Sequence, residues 1–232
     1  MDAARARHAL TPAQSFKDYR QNKYRELESL VATRKTIYLD MNFWIAMRNP
    51  DEFQNSIKAR RLLDLLRIGV KERRLLCPVS YAVDSELIKQ NPLKKRLAQA
   101  KIMDELSEGI GIRNPYDIAE LEFFRFFAQR SISFRRVPID PIWTRVGHMI
   151  TAIPSQRISA ALYAALRLDD DYKFKENDLD DIQHSAVAAA YCDVFLTERF
   201  IANKLCLPAV RKVIHSECKV FCDFDEALSA LS

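Results

Sequence analysis

The chain has 232 residues, 48% of them hydrophobic, so it buries a sizeable core as one large domain or a small domain with an insertion. Its formal net charge of +5 allows a nucleic-acid partner without requiring one. No run has the length of a membrane span and the N-terminus lacks the apolar core of a signal peptide, which excludes a membrane protein and makes the cytoplasm the expected compartment.

Residues 1–10 read as a loose arm. Thr11 then offers an N-cap, Pro12 the first helical position and Gln14 the closing residue of a capping box. Phe16, Arg20, Tyr24, Leu27 and Val31 recur on one face, so a helix over 12–32 is expected to pack on the main domain. Arm and helix (1–35) precede a domain that runs over 36–232.

That domain opens with "TIYLDMNFWIAM" (36–47), in which Ile37, Tyr38 and Leu39 read as a buried strand and Asp40 stands at its carboxyl end. An amphipathic helix follows over 52–69 and a second strand over 74–78. "AVDSELIKQ" predicts a short helix that Asn91-Pro92 terminates, and 93–107 a further charged helix. The segment 108–175 holds "IAELEFFRFFAQR", then "RRVPIDPIW", then helical stretches at 141–152 and 156–167. Its Phe123, Phe124, Phe126 and Phe127 suit a core or a dimer contact better than a base-stacking platform. A charged loop leads to a helix at 180–191. "VFLT" (194–197) is a third strand, "ERFIANKLC" a helix, "CKVFC" a fourth strand and "DEALSAL" a closing helix.

Strands alternating with helices imply a parallel sheet covered on both faces, and the long helical stretch of about 93–175 reads as an insertion. Cys77, Cys192, Cys206, Cys218 and Cys222 are odd in number and lie mostly in apolar runs, so they read as reduced thiols. Cys218 and Cys222 lack a second pair with zinc-ligand spacing.

Acids stand near strand ends or inward helix faces in several segments: Asp40, Glu86, Asp181 and Asp193. Asp84 competes with Glu86, and Asp178 and Asp180 compete with Asp181. The helix at 180–191 is slim, with Ala186, Ala188, Ala189 and Ala190. Its positive N-terminal end favours a carboxylate there. His184 shares a face with Asp181 and suits either a structural hydrogen bond or contact with a metal or phosphate. Thr197 ends the third strand, where its hydroxyl could hold a carboxylate. If these acids converge, their repulsion must be neutralised, and a hard cation such as Mg²⁺ or Mn²⁺ suits an all-oxygen site. The chemistry implied is phosphodiester hydrolysis.

Three segments resemble, in order, the motifs of PIN-domain ribonucleases: "YLDMNFWI", "SELIKQ" and "DIQHSAVAAAYCDVFLTER". The resemblance spans about 36–222 apart from the insertion. It implies a three-layer α/β/α sandwich around a parallel sheet of four to five strands, with a helical insertion, and a Mg²⁺- or Mn²⁺-dependent endoribonuclease. It assigns catalytic and metal-binding roles to Asp40, Glu86, Asp181 and Asp193, and supporting roles to Asn42 and Thr197. Many members carry a further acid two residues after the threonine; here that position is Arg199, suited to contact phosphate, with Glu198 beside it. Small PIN nucleases are often toxins held by an antitoxin or effectors of phage defence, so RNA, an antitoxin or other protein partner, and a second copy of the chain are the expected partners.

Lys58, Arg60, Arg61, Arg67, Lys71, Arg73 and Arg74 either bind backbone phosphates or form a solvated helix face. A haloacid-dehalogenase-type phosphatase would need an acid where Asn42 stands. A Rossmann or P-loop protein would need clustered glycines that Gly69, Gly109, Gly111 and Gly147 do not supply. The remaining alternative is a catalytically silent PIN-like module that binds RNA or a protein partner.

Overall fold

The run Lys35–Leu39 (β1) is buried from Thr36 onward on both faces, and strands pair with it on either side. Such continuous apolar runs mark the interior of a parallel sheet. The computed structural model describes residues 10, 15–49, 56–119, 122, 153–169, 171–175, 177–214 and 216–231. Among them, β1 pairs with Leu75–Leu76 (β2) and with Val194–Leu196 (β5), and β5 pairs with Lys219–Phe221 (β6). This makes a four-stranded parallel sheet of order β2-β1-β5-β6. Val79–Ser80 (β3) and Gly111–Ile112 (β4) form a separate parallel pair.

The helices, in chain order, are Phe16–Ala32 (α1), Met41–Arg48 (α2), Ser56–Lys71 (α3), Tyr81–Lys89 (α4), Leu93–Ser107 (α5), Pro154–Arg167 (α6), Asp178–Tyr191 (α7), Arg199–Cys206 (α8), Pro208–Ile214 (α9) and Phe224–Leu231 (α10). They fall into two sets: α2, α3, α4, α5 and α10 pack together, and α6, α7, α8 and α9 pack together. This is an α/β architecture compatible with a three-layer sandwich.

The order of the strands fixes where the sheet can bind a ligand. From β1 the chain crosses in one direction to β2, and from β5 in the opposite direction to β6. Right-handed crossovers then send the two connections to opposite faces, leaving a crevice at the carboxyl ends of β1 and β5.

Close packing holds this frame. A Cβ on Gly69 of α3 would stand 2.3 Å from Leu75 Cδ1, so the glycine lets α3 lie directly on β2. The slim alanine helix expected at 180–191 is α7, with Ala186, Ala188 and Ala189 buried.

Other expectations need correction. Ser15, not Thr11, caps α1: its side chain accepts from Asp18 N, while 11–14 lie outside the described residues. Tyr24 (44%) and Leu27 (40%) stay exposed, so the apolar face of α1 is only lightly covered. The strand expected over 74–78 is interrupted: β2 ends at Leu76, and Val79–Ser80 joins β4 instead. α5, placed by sequence in the insertion, packs on α2, α3 and α4 and belongs to the main body. The helix at 141–152 and the phenylalanine cluster 123–127 lie outside the described residues.

Candidate functional site

The crevice at the carboxyl ends of β1 and β5 is where the acids gather. Asp40 leaves β1 and becomes the N-cap of α2, with Oδ1 accepting from Met41 N at 2.7 Å. Its Oδ2 accepts from the buried Thr197 hydroxyl at 3.1 Å, and its own backbone N–H donates to Leu196 O at 2.9 Å. The carboxylate is thus held between the start of its own helix and the end of β5, and keeps lone pairs for a further partner.

Glu86 comes from α4. That helix is aimed by its cap: Ser80 Oγ accepts from Val83 N at 3.4 Å and is 2.6 Å from the buried Tyr38 hydroxyl of β1. Asp181 comes from the first turn of α7, where the exposed N–H groups favour negative charge. Glu198 follows Thr197 and is the N-cap residue of α8.

These side chains are close enough to change one another's proton affinity. Burial raises the Glu86 pKa, and the charges of Asp40 and Asp181 raise it further, with Lys89 opposing. Burial also raises Asp181, which His184 counters and which Asp40, Asp178 and Asp180 reinforce. Glu198 is raised first by burial, then by Asp40 and Asp181, with Lys175 and His184 opposing. Acids far apart in the sequence thus act on one another at the carboxyl ends of β1 and β5.

Of the competing acids, Asp178 and Asp180 lie beside Asp181, each lining one of the two cavities at that residue, and Asp84 lies apart. Asp178 is occupied: it accepts from the Tyr172 hydroxyl at 2.8 Å and from Lys175 N at 2.5 Å, which clasps the loop before α7. Asp84 faces Asp104 on α5 and not the crevice. Asp180 is exposed.

Two cavities meet at this centre. One, of about 550 Å³, is lined by Tyr172, Lys175, Asp178, Glu198 and Phe200. The other, of about 340 Å³, is lined by Tyr81, Glu86, Lys89, Asn114, Tyr116 and His184. Asn177 and Asp181 line both, so they form the common wall. His184 is buried, and its Nδ1 has no hydrogen-bond partner among the described residues.

Asp193 does not join the centre. It precedes β5, and a residue before a parallel strand sits at the opposite edge from one that follows its neighbour. There its Oδ2 accepts from Thr36 N at 2.7 Å and from Thr36 Oγ1 at 2.8 Å. Asn42 points away as well: it is exposed and makes no hydrogen bond to Asp40. Arg199 is exposed and lines neither cavity, whereas the neighbouring Glu198, also exposed, lines the larger one. Of the basic run on α3, Lys58 is paired with Asp225, Arg67 with Glu105 and Arg74 with Glu72, which favours a solvated face over a phosphate track.

The donor set fits a hard divalent cation, being all oxygen and anionic. No three of these acids bring ligand oxygens within 4.8 Å of one another; among the described residues that spacing occurs in Cys222, Asp223 and Glu226. The latter group is a helix cap, since Asp223 Oδ1 accepts from Glu226 N at 2.9 Å.

No protein-family model, curated protein or solved structure matches the chain. No helix among the described residues is long and apolar enough to cross a membrane.

Proposed function

We propose that the chain is a Mg²⁺- or Mn²⁺-dependent endoribonuclease with a PIN-like three-layer sandwich. The observation that carries this reading is the gathering of Asp40, Glu86, Asp181 and Glu198 at the crevice between β1 and β5, from segments far apart in the sequence.

Asp40, Glu86, Asp181 and Glu198 are the residues that would hold the cation. When bound, it supplies Lewis acidity toward a phosphate oxygen and toward water. The protein's own contribution is placement. Thr197 and the Met41 N–H keep the Asp40 carboxylate from swinging, so its free lone pairs face the crevice. Lys175 and Lys89 stand on either side, each close enough to an acid to lower its pKa. They are positioned to pair with phosphates flanking the one at the centre. The wall of Asn177 and Asp181 shared by the two cavities supports a reading in which a strand continues on both sides of that central phosphate. The products are then a 5′-phosphate and a 3′-hydroxyl, as the family resemblance implies.

The spacing of the acids favours a second reading, a silent module that binds RNA without cutting it. Incubating RNA with the wild type and Asp40→Asn, each in Mg²⁺, Mn²⁺ or EDTA, separates the two. Metal-dependent cleavage lost in the variant supports the enzyme, and binding without cleavage in every condition supports the module.

A further inference from the structure

The two cavities beside Asp181 differ in what their aromatic residues are free to do. In the larger, Tyr172 and Phe200 stack on each other, with ring centroids 5.0 Å apart and planes 22° apart. The Tyr172 hydroxyl is committed to Asp178, so this side is a finished wall. In the smaller, Tyr81 is 62% exposed and Tyr116 67% exposed, and neither ring meets another aromatic ring among the described residues.

Both tyrosines are placed by the β3–β4 pair. Ser80 ends β3 and caps α4, which puts Tyr81 in the first turn; Ser85 and Lys89 follow at helical spacing and line the same cavity. β4 leads to Asn114, whose Oδ1 accepts from Tyr116 N at 2.9 Å and so sets the Tyr116 backbone. That bond uses the amide oxygen and leaves the Asn114 NH₂ for a ligand, and Gln183 adds a second amide on the same cavity. His184 lines the cavity too, nine-tenths buried with Nδ1 unpartnered among the described residues.

Exposed aromatic faces and amide edges are the chemistry that receives a nucleobase, and Lys89 is the one cation on a wall that also carries Glu86, Asp180 and Asp181. We propose that the cavity between α4 and the 113–116 segment is a base subsite. It takes one unpaired nucleotide of an RNA strand, stacked on Tyr81 or Tyr116, with its edge facing Asn114 and Gln183 and its phosphate near Lys89. The inference rests on the nuclease reading and adds to it a base preference on one side of the cut. A paired base has no free face or edge to offer such a cavity, so duplex RNA is excluded from it.

The test combines two readouts on Tyr81→Leu, Tyr116→Leu and the corresponding Phe variants, all at exposed positions where folding is undisturbed. The first is binding of a single-stranded RNA that carries 2-aminopurine, followed by fluorescence quenching in the cleavage-dead Asp40→Asn background. The second is the base preference of cleavage on a randomised single-stranded RNA. Each Leu substitution is expected to weaken binding roughly tenfold and to flatten the base preference, while Phe restores both. Cleavage with unchanged affinity and preference in the Leu variants overturns the subsite and leaves the nuclease standing. Tyrosine-dependent quenching without any cleavage does the reverse. Absence of both binding and cleavage overturns both.

Discussion

Two aspartates sit at opposite edges of one parallel sheet, each hydrogen-bonded to a threonine of the neighbouring strand. At one edge Asp193 accepts from the backbone and hydroxyl of Thr36 with the same oxygen. At the other, Asp40 accepts from the Thr197 hydroxyl and the Met41 N–H with separate oxygens. The pairs join the same two strands, β1 and β5, yet their surroundings differ in sign. Asp193 shares its cavity with Lys35 and Lys219, whereas Asp40 faces Glu86, Asp181 and Glu198. The same residue pair is therefore a structural tie at one edge, beside two lysines and Glu217, and part of a cluster of acids at the other. Position in the sheet, not residue type, decides between the two.

Breaking each pair should separate rate from stability. Asp40→Asn is expected to lower metal-dependent RNA cleavage on the order of 10²–10³-fold with the fold intact, read by single-turnover cleavage and circular dichroism. Thr197→Val removes only the group that steadies Asp40, so a loss of about 10–100-fold is expected, with weaker Mn²⁺ binding by calorimetry. Asp193→Ala should leave cleavage per folded molecule unchanged and cost about 1–3 kcal/mol in urea unfolding. A cleavage defect in that variant at full folding would merge the two edges that the structure separates.

The smallest effect is electrostatic. The pKa values of Glu86, Asp181 and Glu198 are raised, so between the ordinary carboxylate range near 4 and their folded values the native state binds more protons than the unfolded chain. Their contribution to stability is present at low pH and is lost as pH rises through the folded values. Asp181→Asn should then be more stable than the wild type at neutral pH without metal, by about 1 kcal/mol or less after solvent screening, and equal to it near pH 4. Urea titrations across pH in EDTA check both points.

The strands and most helices were legible because their signals are local. Burial on both faces makes "IYL" and "VFL" continuous apolar runs, and the alanines of α7 announce a helix that packs closely. Asp40, Glu86 and Asp181 were legible because a strand end and inward helix faces are marked in sequence. Asp193 misled because an acid next to a strand looks alike at either end; only the direction of the strand tells which edge it occupies. Glu198 carried a signal, lying directly after Thr197, yet its direction depends on the cap geometry at the start of α8. The break between β2 and β3 carried a signal in Pro78, which has no N–H to give a ladder, although "LLCPVS" is otherwise apolar up to Ser80.

The central claim is that crowded acids at the crevice share one divalent ion. Thermal melting in millimolar Mn²⁺ against EDTA tests it directly, on the wild type, Asp40→Asn and Asp193→Asn. The account predicts a higher melting temperature with Mn²⁺ in the wild type and in Asp193→Asn, and no gain in Asp40→Asn. Identical curves in Mn²⁺ and EDTA for the wild type, or a gain abolished by Asp193→Asn and kept by Asp40→Asn, would contradict it.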